Sequence, residues 1–457
     1  MPSRWKLLLF TLPLCCSLAC NKSEPPIKTP ADVAQYATLP GVTTTHNSEL
    51  QAELARLIAE QATPLQLMMT GGENPQFDSM PDASNPVSRL DIIFPPNFRE
   101  SGREHLDKVW PAEGFSFTPA TLHVVAALTK RYQSKREQYE KLVVEPDFRL
   151  PVNHMLGLSA DTTYVDAIEI GNRLEGLYAA GVLAAGNPQG AIESLRLMLR
   201  VSELLAAEQS IVSRGAGAVR RGEALQVLEG IAKHPATTPT IHRQLKVLLD
   251  QQLEHWPDDA TAWIGDRAQG MHTYELIRGG YLLSLLSYDE LREFRDEIGI
   301  EKLAEAVASN IDQDELFYLR TMRDVVDACQ KPHFARADVF RQIEANLSLL
   351  RGSDNYPFVA DQLLLSQLDQ GSRLMALDRA RCEAWAIALR IACGGDQAKK
   401  ITNPLTGDEF FVDITDTQVV VDAVDPDNGQ PAAIVPRLLG STDSPRIGSP
   451  IRPSTRQ

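Results

Sequence analysis

The chain has 457 residues, of which 43% are hydrophobic, enough for a sizeable core and for up to about three domains. Its formal charge of −15 argues against binding nucleic acid or anionic lipid through bulk electrostatics. Beyond Cys15, Cys16 and Cys20 the remaining cysteines are Cys329, Cys382 and Cys393, too few for a disulfide-stapled scaffold.

Arg4 and Lys6 precede a short apolar run, Leu7 to Leu14, and then Ser17-Leu18-Ala19-Cys20. The run is too short to span a bilayer, which takes about 20 apolar residues, and Pro13 interrupts it as a helix. Charge, apolar run and small residues in this order predict an export signal. The Ser17-Leu18-Ala19-Cys20 junction resembles the lipobox of bacterial lipoproteins, with Ser17 where Leu is usual. It also suits an ordinary small-residue cleavage site. The favoured expectation is lipid attachment at Cys20, and the resemblance implies several acyl chains there, which make anchoring stable where one chain does not. Loss of Arg4 and Lys6 with the signal would take the charge from −15 to −17.

Residues 21 to about 48 are rich in Pro, Thr and polar residues and read as an extended spacer. A helix is predicted from Ser48 to Gln61 with Ser48 as its cap. Gly71-Gly72, Asn74-Pro75, Asn85-Pro86 and Pro95-Pro96 then mark an irregular stretch.

From about residue 100 to 395 helical periodicity prevails. Thr118-Pro119, Asn187-Pro188 and Thr238-Pro239 each place a capping side chain before a proline, the order of a helix start. After Pro239, Ile241, Leu245, Leu248 and Leu249 follow helical spacing, and after Pro188 so do Ala191, Ile192, Leu195, Met198, Leu199 and Leu205. Ala120 to Val143 reads as an amphipathic then charged helix, with Glu137 and Lys141 spaced to pair. Asp338 to Arg351 and Asp361 to Cys393 read as further helices. On one straight helix Cys382 and Cys393 would lie about 16 Å apart, too far to bond. A bridge from Cys329 to either of them and three buried thiols remain alternatives. The segment Ser213-Arg214-Gly215-Ala216-Gly217-Ala218-Val219-Arg220-Arg221-Gly222 is glycine-rich for a helix, which predicts close helix approach there. Its arginines read as a buried ion-pair network, with a small basic patch for an anion as the alternative.

The last sixty residues change character. Phe410 to Ile414 and Gln418 to Ala423 have strand propensities and are joined by Thr415-Asp416-Thr417, which predicts a β-hairpin. After Pro436 the Ser, Pro, Gly and Arg content predicts a disordered tail.

Two further resemblances follow from these residues. Asp161 to Glu208, with its turn at Gly186-Asn187-Pro188, resembles one tetratricopeptide-type unit. Arg379 through Asn403-Pro404-Leu405-Thr406-Gly407, Phe410-Phe411 and Asp425 to Gly429 resembles the ending of uncharacterised bacterial envelope lipoproteins with helical bodies. That ending is also similar to the C-terminal hairpin of type II secretion pseudopilins, although Asn403 replaces their Asp. These resemblances imply architecture and compartment, and carry no activity.

No HExxH, GxSxG, GxGxxG, Walker A or CxxC pattern occurs. His272 is six positions from Asp266 and five from Arg267, spacings that do not stack on a helix face. His255, Asp266 and Arg267 therefore read as cap or core hydrogen-bonding groups. Asp425-x-Asp427-Asn428-Gly429 lacks the later Glu of a calcium loop and reads as an acidic turn.

The expected fold is mostly α, stacked helical hairpins forming an irregular solenoid or bundle, with a small C-terminal β-hairpin. The expected organisation is signal peptide 1–19, lipid-anchored spacer and irregular segment 20–99, helical body 100–395, β-hairpin 396–436 and disordered tail 437–457. The expected site is lipid attachment at Cys20, with no catalytic, cofactor or metal residue assigned. The expected role is a helical scaffold or protein-binding module, anchored to a bacterial envelope membrane with its body facing the periplasm. Its expected partners are other envelope proteins and not nucleic acid. Alternatives are an envelope hydrolase with a cleft between lobes, or an accessory component of a secretion or pilus-like system.

Overall fold

The computed structural model describes residues 46–61 and 86–438, apart from 113, 151, 161, 287–291, 293–298, 354–355, 366–367, 396–400 and 426–429. The expected signal peptide, Cys20, most of the expected spacer and nearly all of the expected tail therefore lie outside the described residues. What is described is mostly helical, with a small antiparallel sheet near its end.

In chain order the helices are α1 (Ser48–Gln61), α2 (Pro86–Ile93), α3 (Pro96–Asp107), α4 (Pro119–Arg131), α5 (Gln133–Val143), α6 (Tyr164–Ala184) and α7 (Pro188–Ala207). They continue with α8 (Ile211–Lys233), α9 (Pro239–Glu254), α10 (Asp259–Arg278), α11 (Ile300–Ala328), α12 (Ala337–Leu350) and α13 (Leu368–Ala392). A 3₁₀ segment, His154–Ser159, precedes α6, and a π turn, Ala360–Leu364, precedes α13.

The three predicted Xaa-Pro starts form as expected. Thr118, Asn187 and Thr238 accept backbone N–H bonds from Thr121, Gly190 and Ile241, each with proline at the first helical position. Four local expectations are corrected. The cap of α1 is Asn47, whose Oδ1 accepts from Leu50 N at 2.9 Å, one residue before Ser48. The helical body begins near residue 86, because Pro86 and Pro96 open α2 and α3 where an irregular stretch was expected. The segment from 120 to 143 breaks at Tyr132 into α4 and α5, and Glu137 accepts from Gln133 at 2.8 Å. Between 361 and 393 the chain makes a π turn and then starts α13 afresh.

Three hydrophobic cores lie side by side. One joins α2 to α7 around Phe94, Tyr139, Phe148 and Tyr164. The second joins α6 to α9, α13 and the sheet around Leu195, Leu228, Leu245 and Trp385. The third joins α1, α10, α11, α12 and the start of α13 around Trp263, Tyr274, Tyr318 and Phe340. Helix α8 is packed by α6, α7, α10, α13 and β3. Because α13 returns from far along the chain to cover α8 and α9, the arrangement is the bundle alternative of the expected pair.

This placement accounts for Gly217 in the glycine-rich segment of α8, while Gly222 has open space around it. A Cβ on Gly217 would lie 2.9 Å from Ser202 O and 3.0 Å from Ala206 N, so α7 and α8 pack backbone to backbone there.

The sheet has three strands, β1 (Val412–Ile414), β2 (Gln418–Val421) and β3 (Ala433–Pro436), antiparallel in that order. β1 and β2 are the expected hairpin. β3 was not expected, since Pro431 and Pro436 bracket it. It is an edge strand, where proline is tolerated, and it buries Ala433 and Val435 against α13 and α8.

Candidate functional site

The arginines of α8 are taken up in buried ion pairs. Arg214 donates to Ala206 O at 2.6 Å and Pro257 O at 2.7 Å, and pairs with Asp259 at 3.2 Å. Asp259 also holds Arg336 at 2.8 Å. Arg220 pairs with Glu223 at 3.2 Å, and Glu223 accepts from Arg173 and Asn172, each at 2.9 Å. Arg221 pairs with Asp378 and lies 4.4 Å from the Trp256 ring centroid. A second set on α6 joins Glu175 to Arg136 at 3.0 Å and to Ser194 Oγ at 3.1 Å. Burial pushes the Glu175 carboxyl up to about 7 despite Arg136.

The other weighed residues are structural too. Asp266 accepts from Ile211 N at 2.9 Å, capping α8 from outside it, and burial lifts its carboxyl to about 7. His255 bonds Gln251 O at 3.0 Å at the end of α9. Arg267 is fully buried on α10. Asp425 pairs with Arg373 at 2.8 Å, and the rest of its loop lies outside the described residues. Cys329, Cys382 and Cys393 are free thiols, so the bridge from Cys329 is not formed.

Among the described residues, a histidine and two glutamates gather at the α10–α11 contact. The last turn of α10 presents Glu275 and Arg278, and α11 presents Asp312 and Glu315, both pairs at i,i+3 spacing. Two features seat these helices. Gly270 leaves room for Tyr318, whose hydroxyl would otherwise lie 2.2 Å from a Cβ and which donates to Asp266 O at 3.0 Å. Tyr274 donates to buried Asp314 at 2.5 Å, and Asp314 also accepts from Val359 N and Ala360 N at the π turn.

Arg278 is the hub of the gathering. It contacts Glu275 Oε1 at 2.8 Å, Glu315 Oε2 at 2.6 Å and Asp312 Oδ1 at 2.7 Å. The stretch before α1 adds His46, whose Nε2 lies 2.8 Å from Glu275 Oε1, and Asn47, whose N–H donates to Asp312 Oδ2 at 2.7 Å. Glu315 is 1% exposed, and burial lifts its carboxyl to about 7.

Beside this group the 3₁₀ segment lies on α10. Gly157, at φ +52°, sits where a Cβ would meet Thr273 Oγ1 at 2.7 Å, and Gln269 donates to Gly157 O at 2.7 Å. That contact brings His154 near His272, and burial with its neighbour's charge depresses His154 to about 4. Buried His154 Nδ1 and His272 Nε2 have no hydrogen-bond partner.

Sequence spacing found none of this gathering. Its members come from residues 46, 275 and 315, brought together by tertiary packing. The available signals were the two i,i+3 pairs, which are common on solvated helix faces.

Comparison with protein-family models, with curated proteins and with solved structures found no match.

Proposed function

We propose that this chain is a lipid-anchored envelope protein whose helical body serves as a binding scaffold for other envelope proteins. The observation that carries the reading is Ser17-Leu18-Ala19-Cys20 directly after the basic and apolar run of residues 4–14. Two features of the body support it. Among the described residues no helix is long and apolar enough to cross a membrane, so membrane residence would rest on the lipid. Buried ion pairs join α6 to α8 and α8 to α13, which suits a rigid platform.

The test is metabolic labelling with a clickable fatty acid, comparing wild type and Cys20→Ala, followed by membrane fractionation. The expected result is a labelled, membrane-bound wild type and an unlabelled variant released from the membrane. A processed wild-type chain that is unlabelled and soluble would overturn the reading.

A further inference from the structure

We propose that the 3₁₀ segment His154–Ser159 is an acid-sensitive latch on α10, seated while His154 and His272 are neutral and released when they take up protons. The latch is held at close range. Gln269 donates to Gly157 O at 2.7 Å, and Leu158 N donates to Thr273 Oγ1 at 3.1 Å. A Cβ on Gly157 would lie 3.0 Å from Thr273 N and Cα, so main chain rests on main chain. The same contact encloses His154, which is 5% exposed.

Two orphaned ring nitrogens make this a seat for neutral imidazoles. His154 Nδ1 and His272 Nε2 are both buried without a hydrogen-bond partner. A neutral ring can leave that nitrogen unprotonated. A protonated ring carries N–H on both nitrogens, so each orphan becomes a buried, charged donor with nothing to accept it. The charge that acts on His154 is that of His272, which opposes a second proton. His272 feels Glu275, three residues on along α10, and burial outweighs that carboxylate, which is shared with Arg278 and His46. Other charges of α10 are engaged elsewhere, Asp266 by Ile211 N and Arg278 by Asp312 and Glu315. The 3₁₀ segment itself brings no second titratable group.

Burial and His272 depress the seated His154 imidazole to about 4, and an opened segment returns it to the ordinary 6.5. Between those pH values the open form binds a proton that the seated form refuses, so opening becomes easier as pH falls. From His154 alone the opening equilibrium should rise about twentyfold between pH 7 and pH 5. His272, whose imidazole is lowered by burial as well, pushes in the same direction.

The test is hydrogen–deuterium exchange of the full chain at pH 7 and pH 5, corrected for intrinsic exchange. It is read at the amides of Leu156, Leu158 and Ala160, each hydrogen-bonded in the seated latch. In wild type their protection should fall at least about tenfold. In the double variant His154→Gln with His272→Gln, which removes both titrating rings, it should fall less than about threefold. Amides of α13 should keep their protection in both, and circular dichroism confirms the fold of the variant. Nuclear magnetic resonance of the unsubstituted chain, labelled at histidine, gives a second readout: His154 should titrate well below 6.5. Equal strap protection at both pH values in wild type, the same fall in the folded double variant, or a His154 that titrates at 6.5 would each overturn the proposal.

Discussion

Two substitutions of the same chemistry, Gly265→Ala and Gly222→Ala, should move stability in opposite directions. Gly265 lies in α10 against the turn between α7 and α8, where a Cβ would stand 1.6 Å from Gln209 O. That is overlap with main chain, so α10 or the turn must shift, and overpacking of this kind costs about 1–3 kcal/mol or more. Gly222 lies in α8 with nothing within 4 Å of its would-be Cβ. Alanine there removes unfolded-state freedom and should gain about 0.5–1 kcal/mol. At roughly 2–4 °C per kcal/mol, Gly265→Ala should lower the thermal midpoint by several degrees and Gly222→Ala should raise it slightly. Thermal and urea unfolding followed by circular dichroism at 222 nm reads both. A Gly265→Ala chain as stable as wild type would show that α10 is not seated on Gln209, and the packing of α8 against α10 described above would be wrong.

Arg221→Met alone should cost about 3–5 kcal/mol by leaving Asp378 buried without its partner, whereas Arg221→Met with Asp378→Leu should recover most of the loss in the same urea assay. Thr238→Ala should cost about 1 kcal/mol through loss of the α9 cap. Glu175 titrates near 7 when folded and at the ordinary 4.5 when unfolded, so between those pH values the native chain holds a proton that the unfolded chain has released. Stability should therefore fall by about 3 kcal/mol as pH rises from 4.5 to 7 on account of this group. Glu175→Gln should flatten that part of the pH profile, and an unchanged slope would refute the assignment.

Local rules carried much of the helical architecture. A capping side chain before proline satisfies an otherwise orphaned N–H whatever the rest of the fold does, so the starts of α4, α7 and α9 were readable from two residues each. Residues 86–99 were misread because the same prolines that open α2 and α3 also punctuate loops. The strand β3 was missed for a related reason: its short apolar stretch lies between prolines, and its pairing with β2 is a contact across a connecting loop.

The sequence by itself determined that the chain is helical with a sheet at its end, because capping, periodicity and strand propensity act within about one helical turn or one hairpin. The proposal of export and lipid attachment at Cys20 also rests on a linear stretch of sequence. Tertiary structure alone decided that α8 lies deep in the bundle, that Arg214 and Arg221 meet acids on α10 and α13, and that His46 meets Glu275 and Glu315. Those encounters join residues up to 269 positions apart (315 − 46). No local interaction reports on them, because they exist only after the helices have buried their apolar faces.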